Sequence, residues 1–101
     1  MLFRSLEWET VLVSVGPTCE DLDPVRYITN RSSGKMGYAV AEAAAKRGAK
    51  VILISGPVML ETPAGAERVD VRTAEEMHRA VGDRFPEVSI AVLAEIGRAH
   101  V

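Results

Sequence analysis

The sequence predicts an α/β protein: a Rossmann-like three-layer sandwich with a mainly parallel sheet and helices on both faces. Three observations predict it. Two β-branched apolar runs, Thr10 to Val15 and Lys50 to Ser55, read as strands covered on both sides. An alanine-rich helical run lies between them, and a second capped helix precedes a further apolar run. Strands that alternate with helices in this way pair in parallel through right-handed crossovers.

The first strand, Thr10-Val11-Leu12-Val13-Ser14-Val15, ends at Gly16-Pro17. The first helix is expected over Gly37 to Arg47. Its alanines favour helix, its last turn is cationic, and Gly48 follows as the terminating glycine. Lys50 to Ser55 repeats the buried-strand pattern and stops at Gly56-Pro57. After a loop through Thr62-Pro63-Ala64-Gly65, Arg68 to Val71 reads as a short third strand. Thr73-Ala74-Glu75-Glu76 is a capping box, and the helix it opens is expected to turn Met77, Val81 and Phe85 inward until Pro86 stops it. Val88 to Ala94 reads as a fourth buried strand. The order is βαββαβ if the third run pairs, and βαβαβ if it does not.

Composition narrows the function classes. The chain has 101 residues, enough for one modest core, with 48% hydrophobic and 26% charged residues, as in globular domains. A net charge of -2 argues against a basic nucleic-acid or anionic-membrane tract. A single cysteine, Cys19, leaves no internal disulfide and fits a reducing, cytoplasmic setting. No apolar run reaches the roughly 18 residues of a membrane span, and the acidic start is unlike a signal peptide.

The segment between the first strand and the first helix carries the functional signal. Connections in α/β units take about 2–6 residues, and this one is several times longer. It reads Asp23-Pro24-Val25-Arg26-Tyr27-Ile28-Thr29-Asn30-Arg31-Ser32-Ser33-Gly34-Lys35-Met36-Gly37. It is not a Walker loop, because Thr29 and Met36 stand where glycine and Ser or Thr are required. It is not a dinucleotide fingerprint either: after Gly16 the next glycines are Gly34 and Gly37.

Ser32-Ser33-Gly34-Lys35 offers two hydroxyls, an open amide and an ammonium at a helix start, a set suited to phosphate. The plainer alternative is a serine cap with a solvated lysine. Asn30 can donate and accept without charge, suiting a carbonyl or phosphoryl oxygen, though turn formation would also explain it. Arg26 could grip an anion bidentately, but pairing with Asp21 or Asp23 within the loop is the simpler role. Cys19 has no neighbouring histidine to activate it and reads as a bland thiol. His78 sits on an exposed helix face with no metal-ligand spacing, and Met36, Met59 and Met77 read as packing residues.

Taken together, Val13 to Thr18, Asp23 to Gly37 and Ser55-Gly56-Pro57-Val58 resemble the phosphopantothenoylcysteine synthetase family. In bacteria that domain is the C-terminal half of a bifunctional flavoprotein of coenzyme A biosynthesis. The resemblance implies a two-step ligation. The carboxylate of 4′-phosphopantothenate attacks the α-phosphate of CTP, with magnesium on the triphosphate. The cysteine amine then displaces CMP to form an amide. It implies Asn30 as the residue that contacts the acyl-cytidylate and is needed for turnover. It also implies Gly16, Ser32, Ser33, Gly34 and Lys35 beside the nucleotide phosphates, and Arg26 near a subunit interface of a homodimer or higher oligomer. FMN would belong only to the family's decarboxylase half. A non-catalytic nucleotide-binding module is the alternative, and a generic NAD-binding half-domain is disfavoured by the missing glycines.

The resemblance runs from about Thr10 to Ala94, with Cys19 and Asp21 standing where the family often has Arg and Pro. Both ends read as foreign. Glu95 to Val101 back-translates to a common short-read sequencing adapter, and Met1 to Ser5 to the complement of its opening bases. The expectation is that residues 6–94 are a slice of a longer reading frame, truncated within the domain, and that residues 1–5 and 95–101 are adapter. Such a slice lacks half of the family's active site and is expected to be inactive alone.

Overall fold

The computed structural model describes residues 5–21, 27–29 and 34–93. Among these residues six strands and two α-helices run in the order β1 (Thr10–Val15), β2 (Cys19–Asp21), β3 (Tyr27–Thr29), α1 (Lys35–Lys46), β4 (Lys50–Ser55), β5 (Ala66–Asp70), α2 (Ala74–Arg84) and β6 (Ile90–Leu93). A 3₁₀ turn, Phe85–Glu87, carries Pro86 and joins α2 to β6. The main sheet has the order β5-β4-β1-β6 with every pairing parallel. The third run therefore does pair, giving βαββαβ, but over Ala66–Asp70 rather than Arg68 to Val71.

Alternation along the two central strands builds three layers. Val11, Val13 and Val15 of β1, with Val51 and Leu53 of β4, pack with Tyr38, Ala41 and Ala44 of α1. Leu12, Ile52 and Ile54 point the other way and pack with Met77 of α2. Burying each aliphatic side chain of this size contributes about 1.5–3 kcal/mol. Small side chains on α1 let that helix lie close over the sheet.

Helix ends follow local chemistry. Thr73 Oγ1 accepts from Glu76 N–H at 3.1 Å, and Glu76 Oε1 accepts from the Thr73 and Arg72 N–H groups at 3.1 and 2.8 Å. These bonds hold the Glu76 carboxyl below the usual carboxylate range. α1 closes as expected with Gly48 at φ 95°: Ala49 N–H donates to Ala44 O and Gly48 N–H to Ala45 O. α1 starts at Lys35, two residues earlier than the sequence suggested, because Gly34 serves as its N-cap.

Three expectations need correction. The long polar connection after β1 contains a short antiparallel hairpin, β2 with β3, which pairs Cys19 with Thr29 and Asp21 with Tyr27. Phe85 does not face inward; it is 55% exposed, because the chain leaves the α-helix at Arg84. The fourth run is not a buried strand. β6 lies at the sheet edge among the described residues, with Leu93 60% exposed and only Val92 packed against the core. Both helices pack mainly over β1 and β4, and α1 reaches β6 only at its margin, where Val92 meets the cluster of Tyr38, Ala41 and Ala44.

Of the methionines, Met77 is core while Met36 and Met59 are exposed, so they are not packing residues. His78 is exposed, as expected.

Candidate functional site

Strand order determines where a ligand crevice lies. β1 leads through α1 to β4 on one side, and α2 returns the chain to β6 on the other. The strand order thus reverses beside β1, and open α/β sheets place ligands outside the carboxyl ends of the strands at such a point. The long segment after Val15 begins at that point.

Gly16 follows β1 directly and is buried. Gly34 is also buried and adopts the left-handed conformation at φ 80° as the N-cap of α1. A Cβ there would lie 3.2 Å from Val58 Cγ1 and 3.4 Å from Val15 Cγ2, so α1 begins pressed against the ends of β1 and the β4–β5 connection. Gly56 completes the corner. A Cβ on it would meet the Pro17 carbonyl oxygen at 1.6 Å, and its own N–H donates to Val15 O at 2.8 Å. The turns after β1 and β4 are thus locked backbone against backbone.

Gly34 has no side chain with which to cap α1, and the first turn of the helix holds no carboxylate. That end of the helix carries partial positive charge. Lys35 is the first helical residue and is exposed. Asn30, Ser32, Ser33 and Arg26 lie outside the described residues. The structure therefore brings Gly16, Gly34 and Lys35 to one corner of the sheet.

Sequence reasoning missed the residues beneath that corner. Ser55 is fully buried, and Tyr38 Oη lies 2.7 Å from its Oγ. Arg68 lies over the Tyr38 ring at 5.5 Å and donates to Leu60 O at 2.8 Å and Asp70 Oδ1 at 2.7 Å. It fastens the β4–β5 connection to α1 and β5. The Gly56-Pro57 strand stop in the sequence was the available signal for Gly56; no local pattern marks the Tyr38–Ser55 pair. A groove of about 410 Å³ runs from Lys35 along Tyr38 and Glu42 to Leu60 and Pro63, between α1 and the β4–β5 connection. Cys19 is a buried free thiol whose backbone N–H donates to Arg72 O at 2.7 Å, which pins the hairpin to the β5–α2 turn.

Among the described residues no His, Cys, Asp and Glu cluster could hold a metal ion, and no helix is long and apolar enough to cross a membrane.

The parallel order, the reversal of strand order beside β1 and the glycine-lined corner define the class: an open, parallel α/β domain. Within that class, the chain belongs to the DNA/pantothenate metabolism flavoprotein C-terminal domain family, whose model matches residues 6–95. It is 64% identical over 78 residues to the coenzyme A biosynthesis bifunctional protein CoaBC of Vibrio parahaemolyticus, covering 77% of this chain and 20% of that protein. The CoaBC of Escherichia coli strain K12 is 56% identical over 89 residues, 88% of this chain and 22% of that one. A crystal structure of a CoaBC C-terminal domain superposes with a TM-score of 0.88 at 40% identity, covering 96% of this chain and 53% of the other. The chain thus spans about a fifth of the length of these curated relatives.

Proposed function

We propose that this chain supplies part of the active site of a CTP-dependent phosphopantothenate–cysteine ligase of coenzyme A biosynthesis. One observation carries the reading: in a member of this family, Gly34 starts α1 against Val15, the residue before Gly16, and Lys35 follows it, so the two ends of the connection whose sequence includes Asn30 lie at one sheet corner. Chemically, the corner suits an anion. It combines the positive end of a helix, an ammonium and closely approaching backbone without side chains.

In the proposed reaction, a carboxylate oxygen of 4′-phosphopantothenate attacks the α-phosphorus of CTP and pyrophosphate departs, leaving an acyl-cytidylate. The amine of cysteine then attacks the acyl carbon, CMP leaves and an amide forms. The protein's task is to orient the two reactants and to balance charge on oxygen. The α1 N-terminus, Lys35 and the hydroxyls of Ser32 and Ser33 bind phosphate. Asn30 holds the acyl-cytidylate through an uncharged amide. Arg26 structures the loop near a subunit interface. The described residues offer no carboxylate cluster for magnesium, so the cation would arrive on the triphosphate. By itself the chain is expected to be inactive, because the relatives extend well beyond the matched segment.

The test is a chimera in which Thr10 to Leu93 replaces the matching segment of the Escherichia coli relative. Release of CMP and pyrophosphate that requires phosphopantothenate, CTP and cysteine is the expected result. Asn30→Asp in that chimera should abolish amide formation without unfolding it. A folded chimera that binds CTP yet forms no product would instead make this a non-catalytic nucleotide module.

A further inference from the structure

The Ser55 hydroxyl has one proton, and it is already committed: Oγ donates to the Gly56 carbonyl at 2.8 Å. The Tyr38 hydroxyl, 2.7 Å from the same oxygen, is therefore the donor of that pair and Ser55 its acceptor. On the other side of Gly56, its N–H donates to Val15 O at 2.8 Å. Both polar groups of Gly56 are thus occupied inside the protein, at the point where its backbone touches Pro17 and Gly16. Tyr38 joins the chain at a second place, since its own N–H donates to Gly34 O at 3.0 Å.

This arrangement matters for an anion at the corner. A carbonyl lone pair turned toward phosphate repels it, and because Pro57 fixes the next φ, the Gly56 carbonyl can tilt outward only if the start of the β4–β5 connection shifts with it. Without the Ser55 bond, the Gly56 carbonyl is a buried acceptor that must seek another donor. We propose that Ser55 is a positioning residue of this corner, holding the Gly56 carbonyl inward so that no acceptor faces the phosphates of a ligand beside Gly16 and Gly34. The inference rests on the reading that a nucleoside triphosphate binds there. Tyr38 plays a supporting part: it orients Ser55, but the Ser55–Gly56 bond survives its loss.

The test titrates CTP, and separately inorganic pyrophosphate, into the 101-residue chain, following the backbone amides of Gly16, Gly34 and Gly56 by NMR. Ser55→Ala should weaken CTP binding about tenfold, on the order of one lost charge-sensitive contact. Tyr38→Phe should stay within about threefold of the parent chain, since the Ser55–Gly56 bond remains. Ser55→Cys keeps the volume with a poor donor and should behave as Ser55→Ala does, which guards against a variant that fails to fold. The Met77 amide on the far face should stay unchanged throughout. Parent-like affinity in folded Ser55→Ala overturns the inference and leaves the proposed function standing. Equal weakening by Ser55→Ala and Tyr38→Phe also overturns it, because packing beneath α1 would then be the cause. An unsubstituted chain that binds neither probe overturns it as well, and turnover by the chimera then judges the proposed function separately.

Discussion

Gly56→Ala should be among the most damaging single-methyl additions available to this chain. The added carbon would sit 1.6 Å from the Pro17 carbonyl oxygen and 2.8 Å from the Pro17 carbonyl carbon. Real contacts of this kind do not fall below about 3 Å, so one backbone must retreat by well over an ångström. Neither is free to do so. Gly56 is tied to Val15 by its N–H, and the Gly16–Thr18 segment is held by β1 on one side and by the Cys19–Arg72 bond on the other. Relief breaks one or two backbone hydrogen bonds, each contributing about 1 kcal/mol. Overpacking then adds about 1–3 kcal/mol as Val15 and its neighbours shift. The expected loss is about 3 kcal/mol, a large share of the roughly 5–15 kcal/mol that stabilises a typical domain. Urea unfolding followed by circular dichroism measures it directly. In a thermal melt the midpoint should fall by at least about 12 °C. A loss below about 1 kcal/mol would refute the claim that the two turns are locked together.

Three further outcomes are expected. Gly34→Ala forces a Cβ into the left-handed region at φ 80° and against Val58, so it should cost about 1–2 kcal/mol by the same unfolding assay. Gly82→Ala should do the opposite and stabilise by about 0.5–1 kcal/mol, because this α2 glycine has nothing within 4 Å of an added Cβ; a destabilised variant would contradict the helical placement. The third concerns acid. Arg84 forks onto Glu67 at 2.8 and 2.9 Å and also pairs with Glu87, and these contacts hold both carboxyls below the usual carboxylate range. Their stabilising contribution is therefore present above the ordinary carboxylate pKa and lost as pH falls through the depressed values. Melting midpoints should decline on acidification, and Glu67→Gln should flatten that decline; an unchanged slope would remove the pair from the acid response.

The candidate site was legible in the sequence only where its chemistry is local. Gly34 and Lys35 stood out because a helix start is read from neighbouring residues, whereas Gly16 entered only through the family resemblance. The structure places all three at one corner. Gly56 was visible only as the end of a strand, since its closeness to Pro17 joins residues almost forty positions apart. Tyr38 and Ser55 were invisible as a pair for the same reason. The hairpin of β2 and β3 escaped notice because three-residue strands in a polar connection show no periodicity. β6 was misjudged because an apolar run reports a capacity for burial, and the surroundings decide whether burial occurs.

The sequence by itself determined the two helices, the four runs of the main sheet and the parallel character of that sheet. Apolar runs, an alanine-rich helix, a capping box and a terminating glycine act over a few residues, so local physics suffices to read them. Only the tertiary structure decided that β4 and β6 flank β1, that β6 lies at an edge among the described residues, and that Gly56 seats against Pro17. These are relations between segments far apart in the chain. They arise from how the two faces of β1 and β4 are filled by α1 and α2, which no single stretch of sequence encodes.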